Sequence, residues 1–185
     1  MAGQQYLSSA EYPWYEWTVG DEVYQGDVFF DFPLQVPIKA VKAGEKSTDV
    51  QVQQRDLVVL SQTCDILTSR VSNLVFCPAY DYAEFVGSAR DQWNGARRED
   101  LRKGNLPGYH LLNSCEDGPV PFGVRVVDFH EVFGTPLAVV KEHALLLGSR
   151  PRLRPPYREH LAQAFARFFM RVGLPVDIPK EKLNL

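Results

Sequence analysis

The chain has 185 residues, of which 45% are hydrophobic, 12% aromatic and 23% charged, and its formal net charge is −3. That size favours one domain with an ordinary buried core, and the composition excludes collagen-like, intrinsically disordered and disulfide-scaffold classes. No run approaches the roughly 18 apolar residues that span a bilayer. The N-terminus Met1-Ala2-Gly3-Gln4-Gln5-Tyr6 lacks the basic and apolar regions of a signal peptide, so a cytoplasmic location without a membrane is expected.

In chain order, residues 1–20 are rich in aromatics (Tyr6, Tyr12, Trp14, Tyr15, Trp17) and broken by Pro13, which predicts an arm packed on the body or on a partner. Gly26-Asp27 signals a turn into the β-rich run Val28-Phe29-Phe30-Asp31-Phe32, stopped by Pro33. After a loosely alternating stretch and a polar loop at 43–47, residues 48–53 predict a short edge strand. Two apolar runs, 56–61 and 74–79, predict buried neighbouring strands flanking the polar cluster Ser61-Gln62-Thr63-Cys64-Asp65. Residues 81–103 turn helical, and Gly87 and Gly95 favour two short helices over one long one. Strands are expected at 109–112, at 124–129 and at 136–140. The clearest helix spans 156–172, started by Pro155-Pro156, carrying Leu161, Phe165, Phe168 and Val172 on one face, and ended by Gly173 and Pro175. Many short strands, tight turns and a closing helix predict a mainly β fold with α, a small bent β-barrel in a single domain over 1–185. No Gly-x-Gly-x-x-Gly or Walker loop is present, which disfavours nucleotide-binding α/β folds.

Charge and cysteine placement refine this. Residues 1–55 hold eight acids against four bases, whereas residues 150–171 hold six arginines and one acid, Glu159. Such an arginine-rich end suits either an anionic partner or acidic neighbouring subunit, or a solvated helix face. Cys64, Cys77 and Cys115 are an odd, sparse set without a Cys-x-x-Cys knuckle, so neither a disulfide framework nor a metal site is expected.

The order Gly26-Asp27-Val28-Phe29, Arg55-Asp56-Leu57-Val58-Val59-Leu60-Ser61 and Val75-Phe76-Cys77-Pro78 resembles the MazF/PemK (Kid) toxin family. Val126-Val127-Asp128-Phe129-His130-Glu131-Val132 looks like that family's downstream strand, and 81–104 stands as a helical insertion. The likeness covers roughly residues 20–80 and 120–172. It implies an SH3-like barrel of bacterial toxin–antitoxin type, frequent homodimerisation, and metal-independent cleavage of single-stranded RNA without a cofactor. In that chemistry a 2′-OH attacks the adjacent phosphate, aided by an arginine and by a threonine near a strand end. Arg55 matches the arginine and Ser61 the strand-end serine, while Tyr80 stands at the threonine position and Asp56 replaces a proline.

The candidate catalytic residues are therefore Arg55, Cys64, Asp65 and Tyr80, with Ser61, Gln62 and Thr63 as candidate ligand contacts. Arg55 could stabilise a phosphorane-like charge, or simply pair with a surface acid. Asp65 or Tyr80 would handle protons. Cys64 as a nucleophile needs a base, for which His110 and His130 are the evident partners; otherwise Asp65 makes an Asx turn beside a half-buried Cys64. Tyr80 and Tyr82 could stack on a base or pack at a rim. His143 and His160 read as surface residues, and Trp14, Trp17 and Trp93 as core plugs or interface anchors. Three functions follow: an RNA-engaging diverged endoribonuclease, a non-catalytic module holding a protein partner (antitoxin-like or a complex subunit), and a Cys64-dependent hydrolase.

Overall fold

The computed structural model describes residues 13–41, 43–89 and 91–170. Eight strands and five helices follow in the order β1 (Tyr15–Val19), β2 (Val28–Pro37), β3 (Val50–Val59), α1 (Thr63–Leu67), β4 (Asn73–Asp81), α2 (Tyr82–Ser88), α3 (Gly95–Arg102), β5 (Tyr109–Leu112), β6 (Arg125–Asp128), β7 (Phe133–Pro136), α4 (Leu137–Leu147), β8 (Ser149–Leu153) and α5 (Tyr157–Phe169). The two apolar runs around the cysteine-bearing bend do pair: β3 lies antiparallel to β4, with Leu57 opposite Pro78 and Val59 opposite Phe76. All pairings are antiparallel. The larger sheet runs β2-β3-β4-β6-β5, with β7 continuing beside β4 where β6 leaves it.

Both faces of this sheet are buried, which is why Leu57-Val58-Val59-Leu60 is continuously apolar rather than alternating. Val28, Val58, Cys77, Ala79 and Val127 point into one core, closed by Tyr15 of β1, Leu153 of β8 and Leu161 of α5. Phe29, Leu57, Val59, Leu74 and Phe76 point into the other, closed by Val140 and Ala144 of α4. A bulge between Phe29 and Phe32, with Asp31 at φ 50°, keeps both phenylalanines on the α4 side despite their odd spacing. At the far end of that same face Val126 meets Val86 of α2, Leu101 of α3 and Trp93 from the segment between them.

Three expectations are corrected. The described strands form open sheets and do not close into a barrel: β1 and β8 make a separate two-stranded ribbon, tied to β2 by the single bridge Asp27–Arg152. Residues 137–140, expected as a strand, begin α4. Pro136 ends the β7 ladder, and Leu137, Val140, Ala144 and Leu147 then recur at helical spacing against the second core. The separate short strand at 48–53 is the first half of β3, a ten-residue strand that runs straight into the apolar segment. The two-helix reading of 81–103 matches α2 and α3, and the closing helix matches α5, while Val172, Gly173 and Pro175, like Tyr6 and Tyr12, lie outside the described residues.

The arginine-rich end is also reassigned, in part, from surface to core. Arg150 and Arg152 of β8 converge on Asp27, the second residue of the Gly-Asp turn, and Asp27 and Arg150 are wholly buried. Arg150 Nε donates to Asp27 Oδ2 at 2.8 Å, and its remaining nitrogens donate to the carbonyls of Gly20 (2.8 Å) and Glu22 (2.6 Å). Arg152 contacts Asp27 Oδ1 through Nε, donates from its Nη2 to Oδ2 at 3.0 Å and to the Glu22 carbonyl at 2.7 Å, and lies 3.9 Å from the Tyr24 ring centre. Gly26 precedes this carboxylate at φ +84°, and a Cβ there would come within 2.9 Å of the Leu153 Cβ, so only glycine fits.

Removing the carboxylate charge strands two buried guanidinium groups. Asp27→Asn is therefore expected to lose about 3–5 kcal/mol in urea unfolding, far more than the loss of an exposed pair such as Lys39–Asp49. A second expectation concerns His110 of β5, whose pKa is pushed from 6.5 down to about 4 by burial and by the nearby His160. Because the unfolded chain takes up that proton first, stability falls as pH drops from 6.5 toward 4, and this group changes nothing above that window. The imidazole shifts of native His110, followed by NMR, should titrate near 4.

Candidate functional site

Of the residues singled out by sequence, Arg55 and Tyr80 come together. Extending the β3–β4 register, in which Leu57 faces Pro78, sets Arg55 opposite Tyr80 on the α4 side of the sheet. There they occupy the gap between the core under α4 and the core under α2 and α3. Arg55 donates twice to Gln53 Oε1, at 3.3 and 3.0 Å. The Tyr80 hydroxyl donates to Glu131 Oε1 at 2.7 Å, and its ring stacks on Phe85 with centres 5.6 Å apart. Burial and the bond to Glu131 push the Tyr80 pKa well above the ordinary phenol value, while the Arg55 charge pulls the other way and that of Asp128 adds to the rise.

Asp128, at the end of β6, organises the rest. Its Oδ1 accepts from the backbone N–H of His130 at 2.9 Å and lies 2.6 Å from His130 Nδ1. In the tautomer that donates from Nδ1 to this buried carboxylate, Nε2 carries the lone pair that a general base uses. The exposed His130 ring is wedged between Tyr109 and Phe168, each with its centre 5.0 Å away. It also packs against Gly108, where a Cβ would fall 2.1 Å from the ring. Asp128 and Glu131 were read in the sequence only as part of a strand, and His130 also as a candidate base for Cys64. The signal that could have found them is the Asp-x-His-Glu spacing just past an apolar run, where a strand ends and side chains face outward.

The remaining sequence candidates sit at the other end of β3. From Arg55 to Val59 the strand alone spans about 13 Å, and α1 begins beyond it. The bend is a clasp that uses its own hydroxyls: Ser61 Oγ accepts from Val75 N at 2.8 Å and Thr63 Oγ1 accepts from Gln25 N at 3.2 Å. The Gln25 side chain in turn donates to the Leu60 carbonyl at 2.8 Å. Gln62 is exposed and accepts a long contact, 3.7 Å, from the Cys64 thiol. Asp65 stands 4.0 Å from Arg70. Neither His110 on β5 nor His130 after β6 belongs to this end of the sheet, so the two imidazoles proposed as bases for Cys64 lie elsewhere. Asp56 has a structural task on the opposite face, accepting from Asp31 N at 3.0 Å and from Arg125 at 2.9 Å. Buried Cys77 has its thiol pushed up to about 12 by burial and by the charges of Asp128 and Glu131, which makes it inert.

Among the described residues no group of three His, Cys, Asp or Glu side chains is placed to hold a metal ion, and no helix is long and apolar enough to cross a membrane. The Tyr80–Glu131 bond generates a direct check. In Glu131→Gln the hydroxyl loses its charged acceptor, so the Tyr80 pKa, followed by ζ-carbon NMR shifts, should drop measurably toward the ordinary phenol value while the other tyrosines hold theirs. Comparison with protein-family models, with curated proteins and with solved structures returned no match, so the MazF/PemK likeness rests on the sequence motifs alone.

Proposed function

We propose that this chain engages RNA, or a related phosphodiester anion, on the sheet face around Tyr80, as a diverged member of the MazF/PemK type whose SH3-like barrel has opened into two sheets. The observation that carries the reading is the His130 imidazole, fixed by the buried Asp128 carboxylate next to Tyr80, with Arg55 across the strand pair. Each group suits one task of RNA cleavage. His130 Nε2 takes the proton from a 2′-OH, whose oxygen attacks the adjacent phosphorus as the P–O5′ bond breaks. Arg55 supplies fixed charge to the phosphorane-like oxygens. Tyr80, held to Glu131, orients the phosphate by hydrogen bonding, and the protonated imidazole returns its proton to the leaving oxygen. The products are a 2′,3′-cyclic phosphate and a 5′-hydroxyl.

A second reading, a non-catalytic module for a protein partner, is favoured by α4, whose outer face leaves Leu145 61% and Leu146 81% exposed. The two readings separate in one assay series. Mixed-sequence single-stranded RNA in EDTA should yield cyclic-phosphate ends. Arg55→Ala should slow the reaction about 100-fold or more and His130→Ala about 10²–10⁴-fold, while Cys64→Ala leaves the rate unchanged. No cleavage and no RNA shift at low salt, together with a co-purifying protein lost on Leu146→Glu, would replace the first reading by the second.

A further inference from the structure

A groove beside the Tyr80 cluster, bordered by the Tyr109 ring that also touches His130, runs between α5 and the segment that joins α3 to β5. It encloses about 550 Å³, and its polar lining is Lys103, Tyr109, His110, His160, Gln163 and Arg167. Lys103 and Arg167 carry fixed positive charge, His110 and His160 add two imidazoles, and no described lining residue is a carboxylate. Of the nearby acids, Glu159 binds Arg158 at 2.7 Å, and Glu99 binds Arg102 at 2.7 Å while also reaching the groove's Lys103 at 3.2 Å from outside the lining. His160 stands close enough to His110 for its charge to oppose protonation of His110. The groove therefore carries the fixed charges of Lys103 and Arg167 in a lining without a carboxylate, with Glu99 sharing Lys103 from outside it.

Past His110 the groove opens into a second cavity of about 410 Å³ that shares Lys103, Gly104 and His110 with the first. Its other walls are mostly apolar, formed by Trp14, Leu111, Leu112 and Val124, and Trp14 is held by stacking on Tyr157 with ring centres 3.9 Å apart. A cationic half joined to an apolar half selects a ligand of matching build. We propose that this groove binds a phosphomonoester carrying a flat or apolar body, with the phosphate among Lys103, His160 and Arg167 and the body against Trp14, Leu111 and Val124. Arginine and lysine suit a phosphate dianion through charge-assisted hydrogen bonds, and neither is buried beforehand, so little desolvation opposes binding.

The site does not depend on the RNA reading, and the variants keep the two apart. Calorimetric titration of the full chain compares uridine 5′-monophosphate, phenyl phosphate, inorganic phosphate and uridine. At least one of the two phosphomonoesters is expected to bind about tenfold or more tighter than inorganic phosphate or uridine. Preference for the nucleotide identifies a nucleoside body, and preference for phenyl phosphate identifies a purely apolar one. The exposed-site double variant K103Q/R167Q should weaken phosphomonoester binding about tenfold or more, with an unchanged unfolding midpoint, whereas R55A should leave it intact. The proposal is overturned if neither phosphomonoester binds, if inorganic phosphate or uridine binds as tightly, or if K103Q/R167Q binds like the parent chain. Loss of binding in R55A alone would likewise overturn it, by moving the ligand to the Tyr80 face.

Discussion

The carboxylate of Asp27, buried between Arg150 and Arg152, pins the two sheets together beside the apolar core they share. Among the described residues one backbone bridge, Asp27–Arg152, joins the β1–β8 ribbon to the start of β2, so backbone hydrogen bonding by itself would leave the ribbon loosely attached. The three ions change this. Taking them out of water costs several kcal/mol each, a cost offset only by near-complete pairing. That pairing requires Gly20, Glu22, Gly26 and β8 to hold their places at once. Residues more than 120 positions apart are thereby fixed to one another, and the Trp14–Tyr157 stack and the α5 side of the groove inherit their positions from this anchor.

The sheet's two faces then divide the work. One carries an apolar core closed by Tyr15, Leu153 and Leu161, with the Asp56–Arg125 pair on the same face. The other is covered at its two ends by α4 and by α2 with α3, and the uncovered middle is where Arg55, Tyr80, Asp128 and Glu131 gather. Polar side chains at strand positions between two apolar caps stay partly hydrated, which permits charge there. Their mutual bonds also fix their geometry, as a site for a reacting anion requires.

The bend after β3 illustrates how a cluster with the right residue types can be structural. A serine, a threonine, a glutamine and an aspartate at a strand end resemble a ligand cradle. Here the serine and threonine oxygens accept backbone N–H groups from Val75 and Gln25 that would otherwise lack partners. Buried backbone donors claim such side chains before any ligand can.

Strand pairing of 56–61 with 74–79, the two insertion helices, β5, β6 and the closing helix were legible in the sequence, because apolar periodicity, turn residues and proline act locally. Arg55 and Tyr80 were legible as candidates for the same reason, since each lies at a fixed offset from an apolar strand. Helix α4 was misread because Val139 and Val140 favour strands locally, and only packing of Val140 and Ala144 on Phe29 and Phe76 selects the helix. The openness of the sheets, the burial of Arg150 and Arg152, and the partnership of His130 with Tyr109, Phe168 and the Tyr80 face depend on segments far apart in the chain. What composition and spacing determined was which segments pair and which side chains are polar at their ends. Only the tertiary structure decided which of those polar groups are consumed by the fold and which face a ligand, because desolvation and pairing are properties of a three-dimensional neighbourhood.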